Sequence, residues 1–188
     1  MSGELSAKED PRLLMRQAKE GNGEAFGKLY ELYFVPIFRY IYFRVQNKEE
    51  TEDLTQTVFV KVYKAIPRFQ ERDASPLAYF FAVARNTMTD YWRKKKPMPL
   101  YESFEHTLHD DASENPLSLS EQHDKERGVM GALNQLGEEQ REVILLKFMN
   151  GFRNREIAAL LDKSEEAVRQ LQCRALKKLR AELGNSLL

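Results

Sequence analysis

The sequence has a single cysteine, Cys173, so no internal disulfide can form and no cysteine cluster can hold zinc. It lacks any apolar run near the roughly 18 residues that a membrane-spanning helix needs. Its polar, acidic start from Met1 to Asp10 is unlike the basic-then-apolar opening of a secretory signal. These absences point to a soluble chain in a reducing compartment, the cytoplasm, with no membrane insertion. No glycine-rich phosphate loop is present, and the three histidines, His106, His109 and His123, all fall in one acidic strip. His106, His109, Asp110 and Asp111 could gather a metal only with a supporting shell that a flexible strip does not supply. The expectation is a non-enzyme with no metal site and no cofactor.

An excess of one charge is also missing: 29 basic and 29 acidic side chains give a formal net charge of zero. That excludes a strongly basic nucleic-acid binder on the average, but the average hides a pattern. Residues 1–96 carry 17 Lys and Arg against 13 Asp and Glu, residues 97–124 carry 0 against 7, and residues 125–188 carry 12 against 9. Two mildly basic blocks flank a purely acidic strip, and this asymmetry says more about partners than the sum does. The strip opens Pro97-Met98-Pro99, holds Asp110-Asp111 and Asn115-Pro116, and has no sustained apolar period. It reads as an acidic flexible linker.

In both blocks apolar residues recur every three or four positions and never alternate strictly. The fold class is therefore all-α, with two small helical domains, 1–96 and 125–188, joined by the linker 97–124. In the first domain the spacing predicts a helix over Pro11 to Glu20 closed by Gly21. A long helix follows, from about Gly23 to Arg44, with Phe26, Leu29, Tyr30, Tyr33, Ile37, Tyr40 and Ile41 on its buried stripe and a kink at Pro36. A third, about Lys48 to Ile66, aligns Leu54, Val58, Val62 and Ile66 at steps of four. After a polar loop, Ser75 caps a fourth helix that has Pro76 at its first position and runs to about Lys95.

The second domain reads as helices near Lys125 to Leu136 and Glu138 to Met149, stopped by Gly137 and by Asn150-Gly151. Asn154 then caps a short helix through Leu161, Asp162 and Lys163 turn the chain, and Ser164 caps a last helix to about Leu183. Short helix, tight turn and longer helix make a helix-turn-helix.

Two surfaces carry chemistry. If Val168, Leu171, Ala175 and Leu179 bury one face of the last helix, then Arg169, Gln170, Arg174, Lys177 and Arg180 point elsewhere. Such a helix fits a DNA major groove, with Arg and Gln reading base edges and Lys and Arg pairing with phosphates. An ordinary solvated bundle helix would carry similar charges. The fourth helix mixes Tyr79, Phe80, Phe81, Arg85, Asn86, Asp90, Tyr91 and Trp92 with the cations Arg93 to Lys96. Rings that stack unpaired bases and cations that hold their backbone are the design for single strands. Equally, Phe80, Phe81, Val83, Ala84 and Met88 could be core and the cations a favourable helix end.

The run Thr51-Glu52-Asp53-Leu54-Thr55-Gln56-Thr57-Val58-Phe59 is followed by Ala82-Val83-Ala84-Arg85-Asn86 with Asp90-Tyr91-Trp92-Arg93. Then come Asn154-Arg155-Glu156-Ile157-Ala158, Ala167-Val168-Arg169 and Arg174-Ala175-Leu176. In this order and spacing, from about Arg12 to Leu183, the chain resembles sigma factors of the extracytoplasmic-function group. The resemblance implies a first domain that binds core RNA polymerase and the −10 promoter element, and a second that binds the −35 element. It places Asp53, Gln56, Thr57 and Val60 on a polymerase-docking face. It places Phe69, Gln70, Arg72, Ser75, Asn86, Asp90, Trp92, Arg93 and Lys94 at the −10 element, where a flipped base is captured, and Lys163, Ser164, Glu165, Arg169, Gln170, Arg174 and Lys177 at the −35 element. Relatives often have Gly where Asp162 stands.

The implied partners are core polymerase, promoter DNA as duplex and as melted strand, and an anti-sigma factor. The alternative is a helix-turn-helix regulator that acts without core polymerase, its first block a sensor. Cys173 reads as a partly buried small hydrophobe.

Overall fold

The computed structural model describes residues 10–69, 75–95 and 128–186. They are helical and fall into two compact units, divided between Lys94 and Lys95. The linker strip 97–124 lies outside the described residues.

In the first unit, α1 (Pro11–Lys19) starts where the Arg12 N–H donates to Asp10 Oδ1 at 2.9 Å, and it buries Leu14, Met15 and Ala18. The next helix, α2 (Gly23–Val45), starts where the Glu24 and Ala25 N–H groups donate to Asn22 Oδ1 at 3.0 and 3.1 Å. It runs unbroken through Pro36. The expected stripe holds at Leu29, Tyr33, Ile37, Tyr40 and Ile41. Phe26 is half-buried, however, and Tyr30 is 38% exposed, because its ring lies along the rim against Phe59, 4.5 Å between centroids.

The third helix, α3 (Lys48–Ala65), is continued by a 3₁₀ turn over Ile66–Arg68. The expected stripe holds at Val58, Val62 and Ile66, whereas Leu54 is half-buried and Thr51, Thr55 and Phe59 complete the buried side. Threonines can occupy that side because each hydroxyl donates to a carbonyl one turn back, Thr51 to Asn47 O at 2.6 Å and Thr55 to Thr51 O at 2.7 Å. In α4 (Pro76–Lys95), the Ala78 N–H donates to Ser75 Oγ at 3.3 Å, as the cap reading expects. The helix buries Phe80, Phe81, Ala84, Thr87 and Met88, with Val83 half-buried. Phe80 meets Tyr33 of α2 at 4.9 Å and Phe59 of α3 at 5.4 Å, and Phe81 meets Tyr40 at 4.9 Å.

In the second unit, α5 is helical over the described residues 128–134, and Leu136 is buried just beyond it. The Arg141 guanidinium donates to Leu133 O at 3.0 Å and Asn134 O at 3.2 Å, closing carbonyls at the end of α5. Burial pushes its pKa down. α6 (Glu138–Ile144) loosens into a π turn over Leu145–Met149 where continuous α-helix was expected. Leu146 O accepts from the Phe152 N–H at 3.1 Å and Leu145 O from Asn150 Nδ2 at 2.9 Å, so the wider turn leaves neither carbonyl unmet.

α7 (Asn154–Leu161) and α8 (Glu165–Ser186) form the helix-turn-helix. Arg153, not Asn154, is the N-cap: the Glu156 carboxylate accepts from the Arg153 N–H at 2.8 Å, while Asn154 Nδ2 turns to Gln172 Oε1 at 3.4 Å. Asp162 takes a left-handed conformation, φ +52°, which ends α7 with the Lys163 N–H on Ala158 O at 2.9 Å. That geometry explains why a glycine suits this position.

Replacing Phe80 with Ala should destabilise the protein by roughly 3–5 kcal/mol, since the ring is fully buried between two helices; a urea midpoint shift below that range would show that the packing relaxes around it. Burial, then the Asp10 charge, pushes Tyr33 from 10.0 up to about 12, and burial also raises Tyr40 and Tyr79. Between pH 10.0 and about 12 the unfolded chain loses tyrosine protons that the folded chain retains, so stability should hold below pH 10 and fall through that window. Denaturation midpoints at successive alkaline pH values test this, and Tyr33→Phe should make the fall shallower.

Candidate docking and nucleic-acid interfaces

On α3 the inward set Thr51, Thr55, Val58, Phe59 and Val62 rotates Asp53, Gln56, Thr57 and Val60 outward, and all four are exposed. They form one ridge at steps of three and four. Val60 is 51% exposed and Tyr63, three residues on, 58%, with its ring edge-on to Phe26 at 4.9 Å. The sequence reading passed over Tyr63; its spacing from Val60 was the available signal.

α4 divides by face. Phe80 and Phe81 are core, which resolves their two readings, while Asn86, Trp92, Arg93 and Lys94 are exposed. Asn86 and Arg93 lie two turns apart on one side. Asp90 is half-buried between two cations: Lys61 Nζ lies 3.4 Å from Oδ2 and an Arg93 guanidinium nitrogen 3.1 Å from Oδ1. The Lys61 ammonium also donates to Thr87 Oγ1 at 3.2 Å. The Tyr91 hydroxyl donates to Glu50 Oε2 at 2.5 Å, and its ring meets Trp92 edge-on at 4.9 Å. Two side-chain ties therefore hold α4 to α3, and neither Lys61 nor Glu50 was singled out from the sequence.

Phe69 is half-buried, its ring 4.8 Å from Tyr79 and its carbonyl accepting from Lys19 Nζ at 2.7 Å. Ser75 Oγ accepts at the α4 cap, which leaves its hydroxyl proton free to donate. Gln70 and Arg72 lie outside the described residues.

On α8 the Ala167 N–H donates to Ser164 Oγ at 3.1 Å, and Val168 and Ala175 face the core, with Leu171 and Leu179 only half-buried. Glu165, Arg169, Gln170, Arg174 and Lys177 are exposed. Cys173 is exposed too, not partly buried, because it falls on this outward side between Arg169 and Lys177. Arg169 lies 3.6 Å from Glu166. Lys163 is half-buried and pairs with Glu139 of α6 at 2.6 Å, so its charge already ties the turn to α6. Among the described residues no group of three or more His, Cys, Asp or Glu could hold a metal; His106, His109, Asp110 and Asp111 lie outside them.

Comparison with known proteins bears on both faces. Residues 29–97 match the Sigma-70 region 2 family and residues 127–179 match Sigma-70, region 4. The chain is 32% identical to the ECF RNA polymerase sigma factor SigX of Bacillus subtilis (strain 168), over 85% of this chain and 84% of SigX. It belongs to the extracytoplasmic-function group of the sigma-70 family. It is thus an RNA polymerase sigma factor, and the regulator without polymerase is not favoured.

The structure of CnrH in complex with the cytosolic domain of CnrY is similar to this sigma factor with a TM-score of 0.72 at 28% identity, over 94% of this chain and 98% of CnrH. The sigma factor RpoE of Bartonella quintana, at 21% identity and a TM-score of 0.66 over 85% of this chain and 96% of RpoE, shares the fold. The region 2 match begins in α2 and leaves α1 outside it. Among the described residues no helix is long and apolar enough to cross a membrane.

Lys61→Met should lower stability by less than about 1 kcal/mol, because both partners of its ion pair are 44% exposed and screened. Urea denaturation beside Phe80→Ala checks the ranking; a loss as large as that of the core variant would mean that the Lys61 tie organises the packing.

Proposed function

We propose that the first unit of this sigma factor, within 1–96, docks on core RNA polymerase through Asp53, Gln56, Thr57 and Val60 and reads the melted −10 element. Phe69, Gln70, Arg72, Ser75, Asn86, Asp90, Trp92, Arg93 and Lys94 serve that reading. The second unit, within 125–188, reads the duplex −35 element with Ser164, Glu165, Arg169, Gln170, Arg174 and Lys177. Lys163 contributes there by holding the turn to α6.

The observation that carries the reading is the split face of α4. Its rings Phe80 and Phe81 are spent on the core, while Asn86, Trp92, Arg93 and Lys94 stand exposed along its second half, a ring-and-cation surface suited to unstacked bases. Extruding a base costs a few kcal/mol, and pocketing it with cationic hold on the strand offsets this, so opening needs no catalysis by this chain. The acidic strip 97–124 acts as a linker whose charge imitates nucleic acid. The protein works in the cytoplasm. The complex of CnrH with the cytosolic domain of CnrY supports an anti-sigma partner for this chain as well.

Asp53→Arg with Gln56→Ala should weaken binding to core polymerase in a pull-down while leaving the far-ultraviolet circular dichroism unchanged, because both side chains face outward. Undiminished core binding would show that α3 is not the docking ridge.

The two DNA-reading faces separate on a template premelted across the −10 element. Transcription by an Asn86→Ala, Arg93→Ala variant should recover substantially there, since unstacking has been done in advance. An Arg169→Ala, Arg174→Ala variant should recover far less and should lower the salt slope of promoter binding by roughly 0.9 per phosphate contact removed. Permanganate footprinting reports the melting, and equal rescue of both variants would contradict the division of labour.

A further inference from the structure

A cleft of about 400 Å³ lies between α1 and the start of α4, lined by Arg12, Met15, Arg16, Lys19 and Glu20 on one side and by Phe69 and Pro76 on the other. Arg12, Arg16 and Lys19 stand at steps of four and three, so their side chains share one face of α1, while Leu14, Met15 and Ala18 turn into the core. All three cations are exposed, and no ion pair among the described residues engages the guanidinium groups of Arg12 and Arg16. Lys19 is fixed across the cleft by its bond to the Phe69 carbonyl at 2.7 Å. This wall lies outside the residues matched to region 2.

We propose that the α1 cations bind the phosphate backbone of the single-stranded DNA whose base is taken up beside Phe69. The inference rests on the reading of Phe69 as part of the −10 site and extends that site to a helix not assigned to it. Three features select the ligand. Cations at 12, 16 and 19 form a straight row along about two turns of helix, which suits successive phosphates better than one small anion. The facing wall offers the Phe69 ring, edge-on to Tyr79, as an aromatic surface at the same opening. The single carboxylate lining the cleft, Glu20, follows Lys19 at the C-terminal end of the row, so the strand would run past Arg12 and Arg16.

The test uses the full chain assembled with core polymerase and two probes: a fork with a single-stranded −10 non-template segment and a fully duplex −35 fragment. Arg12→Ala with Arg16→Ala should lower the salt slope for the fork by roughly 0.7 per lost phosphate contact, up to about 1.4 for the pair. Binding to core and to the duplex fragment should stay unchanged. Arg12→Lys with Arg16→Lys should keep the wild-type slope, which separates charge from packing. An unchanged slope for the alanine pair on a wild-type complex that binds the fork would overturn the proposal alone. So would weaker binding to core with the fork slope intact, which would make the row a polymerase contact. If the wild-type complex fails to bind the fork at all, the −10 reading itself fails and this inference with it.

Discussion

The first unit depends on where Phe80 sits. Its ring is closed off from solvent between Tyr33 of α2, which it meets edge-on, and Phe59 of α3, which it meets at a tilt. That contact fixes the rotation of α4 about its own axis, and the rotation decides which residues reach solvent. With Phe80, Phe81, Ala84 and Met88 held inward, Asn86 and Arg93 can only face out. The same contact orients α3, since Phe59 sits inside and the ridge through Asp53, Gln56, Thr57 and Val60 follows on the other side. The polymerase-facing and DNA-facing surfaces proposed here are thus two consequences of one packed cluster, further tied by Lys61 to Asp90 and Tyr91 to Glu50.

In the second unit the comparable constraint is a turn. Asp162 in the left-handed region stops α7 within one residue, and Ser164 starts α8 two residues later. The interval is too short for α8 to take another direction, and the Lys163–Glu139 pair holds the turn against α6. An aspartate tolerates this backbone better than most residues, through its short polar side chain.

A net charge of zero is compatible with promoter binding because contacts to DNA are local. The Debye length at physiological salt is only about 8 Å, so the acidic residues of the strip 97–124 do not cancel a cation row on α8 or α1 unless they come close to it.

Helix identity, the caps at Ser75 and Ser164, and the helix-turn-helix were written in apolar spacing and in residues whose side chains satisfy the first turn's N–H groups, both local properties. The outward positions of Asp53, Gln56, Asn86, Arg93, Arg169 and Arg174 were legible for the same reason, because helical periodicity carries them. Local patterns could not rank two apolar candidates for the same buried place. The core took Thr51 and Thr55 and left Leu54 half-buried, since hydroxyls bonded to their own helix lose little on burial and fit where a neighbouring helix comes close. Nor could they show Asn154 surrendering its cap to reach Gln172, Cys173 facing solvent, or α1 closing a cationic cleft against Phe69. Each of these joins residues far apart in the chain or depends on the rotation of a whole helix, and only the packing of helix against helix determines that.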